Sequence, residues 1–446
     1  MSICPIEFRY GRQQMKSIFS EEERLKKSLE VEAALAQAHA KVGNIPAPDA
    51  ENIVKNANTR TVALSRVKEI EKEVGHDVMA IVLALSEKCS QTARRYVHLG
   101  ATSNDITDTA MAMQMRDAIT LLEEDVRQVI RVLADQAKRH RDTVMLGRTH
   151  GQAAVPITFG LKMAVYALET MRHLDRLQET KKRVAVGKMS GAVGTGAALG
   201  PEALEIQKLV MESLDIDYEE ASGQIVGRDR YAELVAVLAN ICSSAEKFAT
   251  EVRNLQRNEI GEIAEAFGRE KQVGSSTMAH KENPVTSENI CGLARVVRGM
   301  LIPAYEDIAY WHERDITQSS TERFVIPHTL VLTDDILMKT ADVFSKLRVY
   351  PDKMKENIEK MKGQVMAESV MIALVGKGMG RQEAHKLARD ASMAAREKGV
   401  HLRDVLAKDQ TVMKLLTAKE LDKALDPASY TGSAGKIVDT IVKKVR

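Results

Sequence analysis

No proline occurs between Pro48 and Pro156, or between Pro201 and Pro284, so long helices are allowed there. The apolar residues are spaced as such helices require. Met115, Ile119, Leu122, Val126, Val129 and Leu133 recur at alternating steps of four and three. Leu234, Leu238, Ile241, Ala245, Phe248, Val252 and Leu255 repeat the pattern over about three heptads. A third helix is predicted after Pro156, with Leu161, Val165, Leu168 and Met171 on one face. Core packing accounts for these stripes without any cofactor box. Helices this long cannot bury their faces in a single hairpin, so the pattern predicts an all-α chain with a central long-helix bundle that associates with other copies. Aromatic content of only 4% points the same way, because sandwich strands draw on Tyr, Phe and Trp.

At 446 residues the chain is long enough for two or three cores. Three regions are expected: an N-terminal helical domain over 1–108, the long-helix centre over 109–350, and a C-terminal helical domain over 351–446. Turn signals punctuate the last at Gly376–Arg381 and Asp426–Gly435. Sixty-four Lys and Arg against 62 Asp and Glu leave a charge of +2. That excludes the global field expected of a nucleic-acid or membrane binder, so an anionic ligand must be caught locally. The four cysteines, Cys4, Cys89, Cys242 and Cys291, are far apart with no C-x-x-C pair, which predicts reduced thiols. The first residues carry no apolar signal core. The longest apolar run, Val78–Leu85, is far short of the roughly 20 residues that span a bilayer. A cytoplasmic protein is expected.

Four segments interrupt the periodicity and carry polar groups. HLGATSNDITDTA (98–110) breaks at Gly100 and offers His98, Thr102 and Ser103, with Asp105 or Asp108 able to cap the next helix. GRTHGQAAVPITFG (147–160) brackets Arg148, Thr149 and His150 with glycines, leaving the histidine on an open turn before a helix. KQVGSSTMAHKENPVTSEN (271–289) is either an exposed loop or a closing lid, with a serine nucleophile or base and an ammonium for a carboxylate. WHERDITQSSTER (311–323) pairs Arg314 and Arg323 with Ser319 and Ser320. Those residues suit a phosphate or carboxylate, or form a solvated face with ion pairs to Glu313 and Glu322. No H-E-x-x-H, P-loop, G-x-S-x-G or dinucleotide fingerprint occurs, and no metal or organic cofactor is expected.

Taken in order, HLGATSNDITDTA, GRTHGQ and GSSTMAHKENP resemble the fumarase/aspartase superfamily. RYGRQQM (9–15) and WHERDITQSSTER narrow the resemblance to its adenylosuccinate lyase family, over essentially the whole chain. The resemblance implies a homotetramer on a central helical bundle, with each active site shared among three subunits. It implies cofactor-free β-elimination of fumarate from adenylosuccinate, giving AMP, and from succinyl-aminoimidazole carboxamide ribotide in purine nucleotide biosynthesis. By that resemblance Ser275 is the base, with Ser276 its rival, His150 the general acid, and Glu288 the carboxylate that orients it. Lys281 and Asn283 match groups holding the succinyl carboxylates, beside Thr102, Ser103 and Thr149. His76, in the segment GHDVMA that also holds Asp77, and His98 match further active-site histidines. Arg9, Tyr10, Arg314, Ser319 and Arg323 match the nucleotide side, and Gln224 a further substrate contact. Three positions depart from the usual pattern: Ala279 stands for a proline, Glu282 for an arginine and Ala153 for a histidine. The loss of proline predicts a less pre-set loop, and Glu282 puts a negative charge near an anionic substrate. Other activities in the superfamily, such as carboxymuconate cycloisomerase or argininosuccinate lyase, share the dicarboxylate half of the site. An inactive helical scaffold is the third expectation, and the joint retention of serine, histidine, lysine and glutamate weighs against it.

Overall fold

The computed structural model describes residues 3–266, 277–278 and 280–445. Its principal helices, in chain order, are α1 (Glu21–Lys41), α2 (Asp77–Ser86), α3 (Ser103–Arg139), α4 (Phe159–Val184), α5 (Asp229–Leu255), α6 (Val285–Gly299) and α7 (Thr317–Ser345). A hairpin of β1 (Val144–Thr149) and β2 (Gln152–Thr158) separates α3 from α4. The other strands among the described residues are two-residue pairings: Val186–Gly187 with Asp217–Tyr218, and Ile263–Ala264 with Arg348–Val349. The fold is all-α. Both predicted seams are helical and buried throughout, from Met115 to Leu133 in α3 and from Leu234 to Leu255 in α5.

The third stripe is different. Helix α4 forms where expected, but its buried face carries Met163, Ala164, Tyr166, Ala167 and Thr170. Val165 is 52% exposed, and Leu161, Leu168 and Met171 are half-buried. Polar-looking Thr170 buries cheaply because its hydroxyl donates to Tyr166 O at 2.8 Å. Proline is also not an absolute stop in this chain, since α7 runs through Pro327.

The chain divides into two compact units, and the divisions fall inside helices. One comprises residues 1–126, 172–243 and 292–338. Within it α1 is apolar on opposite sides. Leu25, Leu29 and Ala36 join Ile53, Val67, Ile81 and Leu85, while Val31, Leu35 and Ala38 join Val78, Ile106, Met189 and Val210. Helix α1 starts on Ser20, whose side chain accepts from Glu23 N, and it carries Glu21–Glu23 in its first turn and His39 and Lys41 in its last. Those charges complement the helix dipole.

The other unit comprises residues 127–171, 244–291 and 339–446. Tyr166 stacks on Phe248 with centroids 4.2 Å apart, and both meet Phe344 edge-on. Leu146 of β1 joins Ile358, Met366, Val370, Leu374, Leu402 and Leu406 in a second core. This tail core turns at the predicted places, between helices Ala367–Gly376 and Arg381–Lys398 and again at Asp426.

Candidate active site

The segment around residue 98 is shaped by backbone conformations that most residues avoid. His98 has φ +64° and Gly100 φ +73°. A side chain on Gly100 would press to 2.7 Å from Ala198 O, so the close approach requires glycine. Asp105, fully buried, reaches back to accept from Thr102 N at 2.8 Å and also accepts from Ser190 N and Gly191 N, both at 3.0 Å. Its remaining partner is the ammonium of Lys188, equally buried. A buried carboxylate is tolerable when its charge is paired and its lone pairs are filled. Asp105 therefore does more than cap α3: it ties the turn that presents Thr102 and Ser103 to the loop 188–191.

Asp108, one turn further along α3, does the same for two more segments. Arg228 donates to Asp108 at 2.8 and 3.1 Å and to Glu322 of α7 at 2.5 and 3.2 Å. Two buried carboxylates share this one guanidinium, which compensates only one of their charges. Burial would raise Asp108, but the charge and hydrogen bonds of Arg228 outweigh it and hold its carboxyl below the usual range. Burial pushes Glu322 up to about 7 despite Arg228, and Asp307 up to about 6.

These ties enclose a cavity of about 370 Å³ whose lining includes His76, Asp77, Ser103, Arg314, Ser319 and Arg323. His76 caps α2 by accepting from Met79 N at 3.3 Å, and its Nε2 lies 3.5 Å from Ser103 Oγ. Asp77 sits between Arg24 at 2.9 Å and Arg323 at 3.5 Å. Arg314 donates to Gln224 Oε1 at 3.1 Å while its Nε is buried without a partner. Gln224 is fixed by donating to Ala192 O at 3.0 Å, and its N–H donates to Glu313 O at 3.2 Å. The wall thus offers guanidinium, hydroxyl and imidazole groups, the donor set for a phosphorylated or carboxylated ligand. His98 does not line this cavity; its Nδ1 lies 2.7 Å from Glu32 Oε1. Arg9 and Tyr10 do not line this cavity. They follow the one-turn helix Pro5–Phe8, and the next arginine, Arg12, anchors the segment on Asp125 and Asp334.

The remaining predicted residues belong to the other unit. Thr149 ends β1, and His150 with Gly151 forms the two-residue hairpin turn, at φ +52° and +72°. Two consecutive positive φ values are what a tight hairpin matching strand twist demands. The histidine is therefore exposed at a hairpin tip, between strands and not directly before a helix. Arg148 is clamped by Glu262 at 2.7 and 2.9 Å. Lys281 is exposed, with its N–H on Met278 O at 3.1 Å; Asn283 is half-buried, its carbonyl accepting from Val285 N at 2.9 Å. Glu288 lies exposed in the first turn of α6, and no bond joins it to His150 among the described residues. Ser275, Ser276 and Ala279 lie outside the described residues. The charge of Glu282 does not stand unopposed, because its carboxylate pairs with Arg348. Ala153 faces Arg148 across the hairpin and packs on the tail core.

Arg24, Glu32, Lys188 and Arg228 escaped the sequence reading. Arg24 and Glu32 sit in a helix, Arg228 just before one and Lys188 just after a two-residue strand, and only its distant partner marks each. No helix among the described residues is long and apolar enough to cross a membrane.

A family model described as a lyase matches residues 7–299, and one described as the adenylosuccinate lyase C-terminus matches residues 363–441. An adenylosuccinate lyase of Pyrococcus abyssi is 50% identical over 445 residues, covering 100% of this chain and 98% of that protein. The chain belongs to the adenylosuccinate lyase family. Among solved structures, a fumarate lyase from Mesorhizobium sp. BNC1 superposes with a TM-score of 0.89 at 34% identity, covering 97% of this chain and 98% of that one. A 3-carboxy-cis,cis-muconate lactonizing enzyme from Pseudomonas putida gives 0.88 at 32%, covering 99% and 98%. The adenylosuccinate lyase family therefore shares its fold with enzymes named for other reactions, and the fold alone does not choose among them.

Proposed function

We propose that this lyase eliminates fumarate from adenylosuccinate, leaving AMP, and from succinyl-aminoimidazole carboxamide ribotide, leaving the amide, as a step of purine nucleotide biosynthesis. The reading is carried by the full-length likeness to the Pyrococcus abyssi enzyme. The cavity formed by Arg314, Ser319, Arg323, His76 and Ser103 suits the phosphorylated half of such a substrate. The runner-up is a cycloisomerase or another dicarboxylate lyase of the same fold, favoured by the lactonizing enzyme's similarity. It leaves the arginine-rich wall without a purpose.

The chemical difficulty is a weakly acidic C–H beside a carboxylate and a poor nitrogen leaving group. Ser275 takes the proton; the C–H electron pair becomes the new C=C bond; the C–N pair departs on nitrogen, which receives a proton from His150. The intermediate carbanion spreads into the carboxylate, where Lys281 and Asn283 hold it with Thr102, Ser103 and Thr149. Glu288 orients His150, and a carboxylate beside the imidazole favours the cation that donates. His76, Asp77, His98 and Gln224 position the substrate, and Arg9, Tyr10, Arg314, Ser319 and Arg323 hold its nucleotide end. No cofactor enters this scheme. His150 and Glu288 meet through association: the working form is a homotetramer with sites shared between subunits, in the cytoplasm, organised as domains 1–108, 109–350 and 351–446. Ser275→Ala and His150→Ala should each lower turnover by roughly 10²-fold or more. A crippling Ser276→Ala beside a harmless Ser275→Ala would reassign the base.

A further inference from the structure

The family resemblance places a histidine–carboxylate pair at His150 and Glu288, yet a second such pair is already formed within one chain. Glu32 on α1 is 1% exposed, and its Oε1 lies 2.7 Å from His98 Nδ1. Its other oxygen, Oε2, is buried with no partner. A carboxylate placed only as a strut would fill both oxygens, as Asp105 does with four donors. Two helical turns further along α1, His39 Nε2 meets Leu99 O at 2.9 Å. One face of α1 thus grips two consecutive residues of the segment that presents Thr102 and Ser103, and it does so where His98 has the left-handed φ of +64°. The opposite ring nitrogen of His98, Nε2, is neither buried nor bonded among the described residues.

We propose that Glu32 is a positioning residue that holds the His98 ring by its Nδ1 and directs its Nε2–H at an anionic oxygen of the substrate. This rests on the lyase reading and deepens it. The electrostatics agree. Burial lowers the His98 imidazole, but the hydrogen bond and charge of Glu32, with the charge of Asp105, outweigh burial and raise it above its ordinary value. The charged groups around it are Glu32 on α1, Asp105 on α3, and Lys188, which neutralises Asp105. His39, the other titratable group on that face of α1, is lowered by burial despite its hydrogen bond to Leu99 O. Neither Glu32 nor His39 belongs to a motif, because both lie inside a helix stripe.

The test is KM and kcat for adenylosuccinate against pH in wild type, Glu32→Gln and His98→Gln. Glutamine keeps the shape and a hydrogen bond but not the charge. In wild type KM should rise with pH as His98 loses its proton. In Glu32→Gln that rise should move to lower pH. Where His98 is neutral in the variant and still charged in wild type, KM should be about tenfold higher, the scale of losing a charge-assisted hydrogen bond, and it should return to wild type at more acid pH. His98→Gln should abolish the titration, and adding Glu32→Gln to it should change nothing more. Where Glu32→Gln does not fold, Glu32→Asp should keep the wild-type rise. A Glu32→Gln profile parallel to wild type, or losses that add across the two sites, would overturn the inference while leaving the activity intact. A wild type that releases no fumarate would overturn the activity and this inference with it.

Discussion

At the scale of single residues, the chemistry-bearing types are legible and their partners are not. His150 stands out because glycines flank it, and it occupies a turn that needs positive φ at both positions. Glu282 looks like an unopposed charge until Arg348, 66 positions away, is seen to pair with it. Glu32 and His98 are likewise 66 apart. Pairing across such separations leaves no periodic trace. Glu322 carries a pH consequence of the same kind. Burial lifts its carboxyl from the ordinary range to about 7. A raised carboxyl contributes stability that is present at low pH and lost as pH climbs through the folded value. Thermal stability should therefore fall between about pH 4.5 and 7, by an amount on the order of 3 kcal/mol from this group. Asp125, pushed up to about 7 by burial and by Asp334 despite Arg12, steepens the same decline. Glu322→Gln should flatten the melting temperature against pH without abolishing the slope. A curve parallel to wild type would assign the decline elsewhere.

At the scale of elements, a strict heptad over buried helices survives translation into structure, so α3 and α5 could be read directly. The face of α4 could not. Its stripe of Leu161, Val165, Leu168 and Met171 is the more apolar one, whereas Tyr166 and Thr170 turn inward, Tyr166 by stacking on Phe248 and Thr170 by bonding backbone. Periodicity finds a helix's apolar side and does not say whether the same chain covers it. The start of α4 is set by close approach. A side chain on Gly160 would meet Ala137 O and His140 O at 2.6 Å and Arg141 Cα at 2.8 Å. All three contacts are backbone and cannot give way. Gly160→Ala should lower stability by about 1–3 kcal/mol, read as a denaturation midpoint, despite alanine's better helix propensity. An unchanged or raised midpoint would show that the α3–α4 approach is loose.

At the scale of the whole molecule, the α4 stripe is half-buried at Leu161, Leu168 and Met171 and 52% exposed at Val165. The proposed tetramer would cover Val165, in line with the association expected of helices too long to cover themselves. Val165→Glu should convert the tetramer into smaller species by sedimentation and cut turnover along with assembly, since the proposed site draws on several subunits. An intact tetramer carrying this change would place the interface on another face. The likeness to enzymes named for other reactions leaves one claim above the rest, that the arginine-lined cavity serves a nucleotide. It is tested most directly by incubating the purified protein in parallel with adenylosuccinate, argininosuccinate and malate and measuring fumarate, with AMP measured beside it for the first. Fumarate and AMP are expected in equal amounts from adenylosuccinate, with negligible fumarate from the other two. Folded protein that leaves adenylosuccinate untouched while releasing fumarate from either of the others would contradict it.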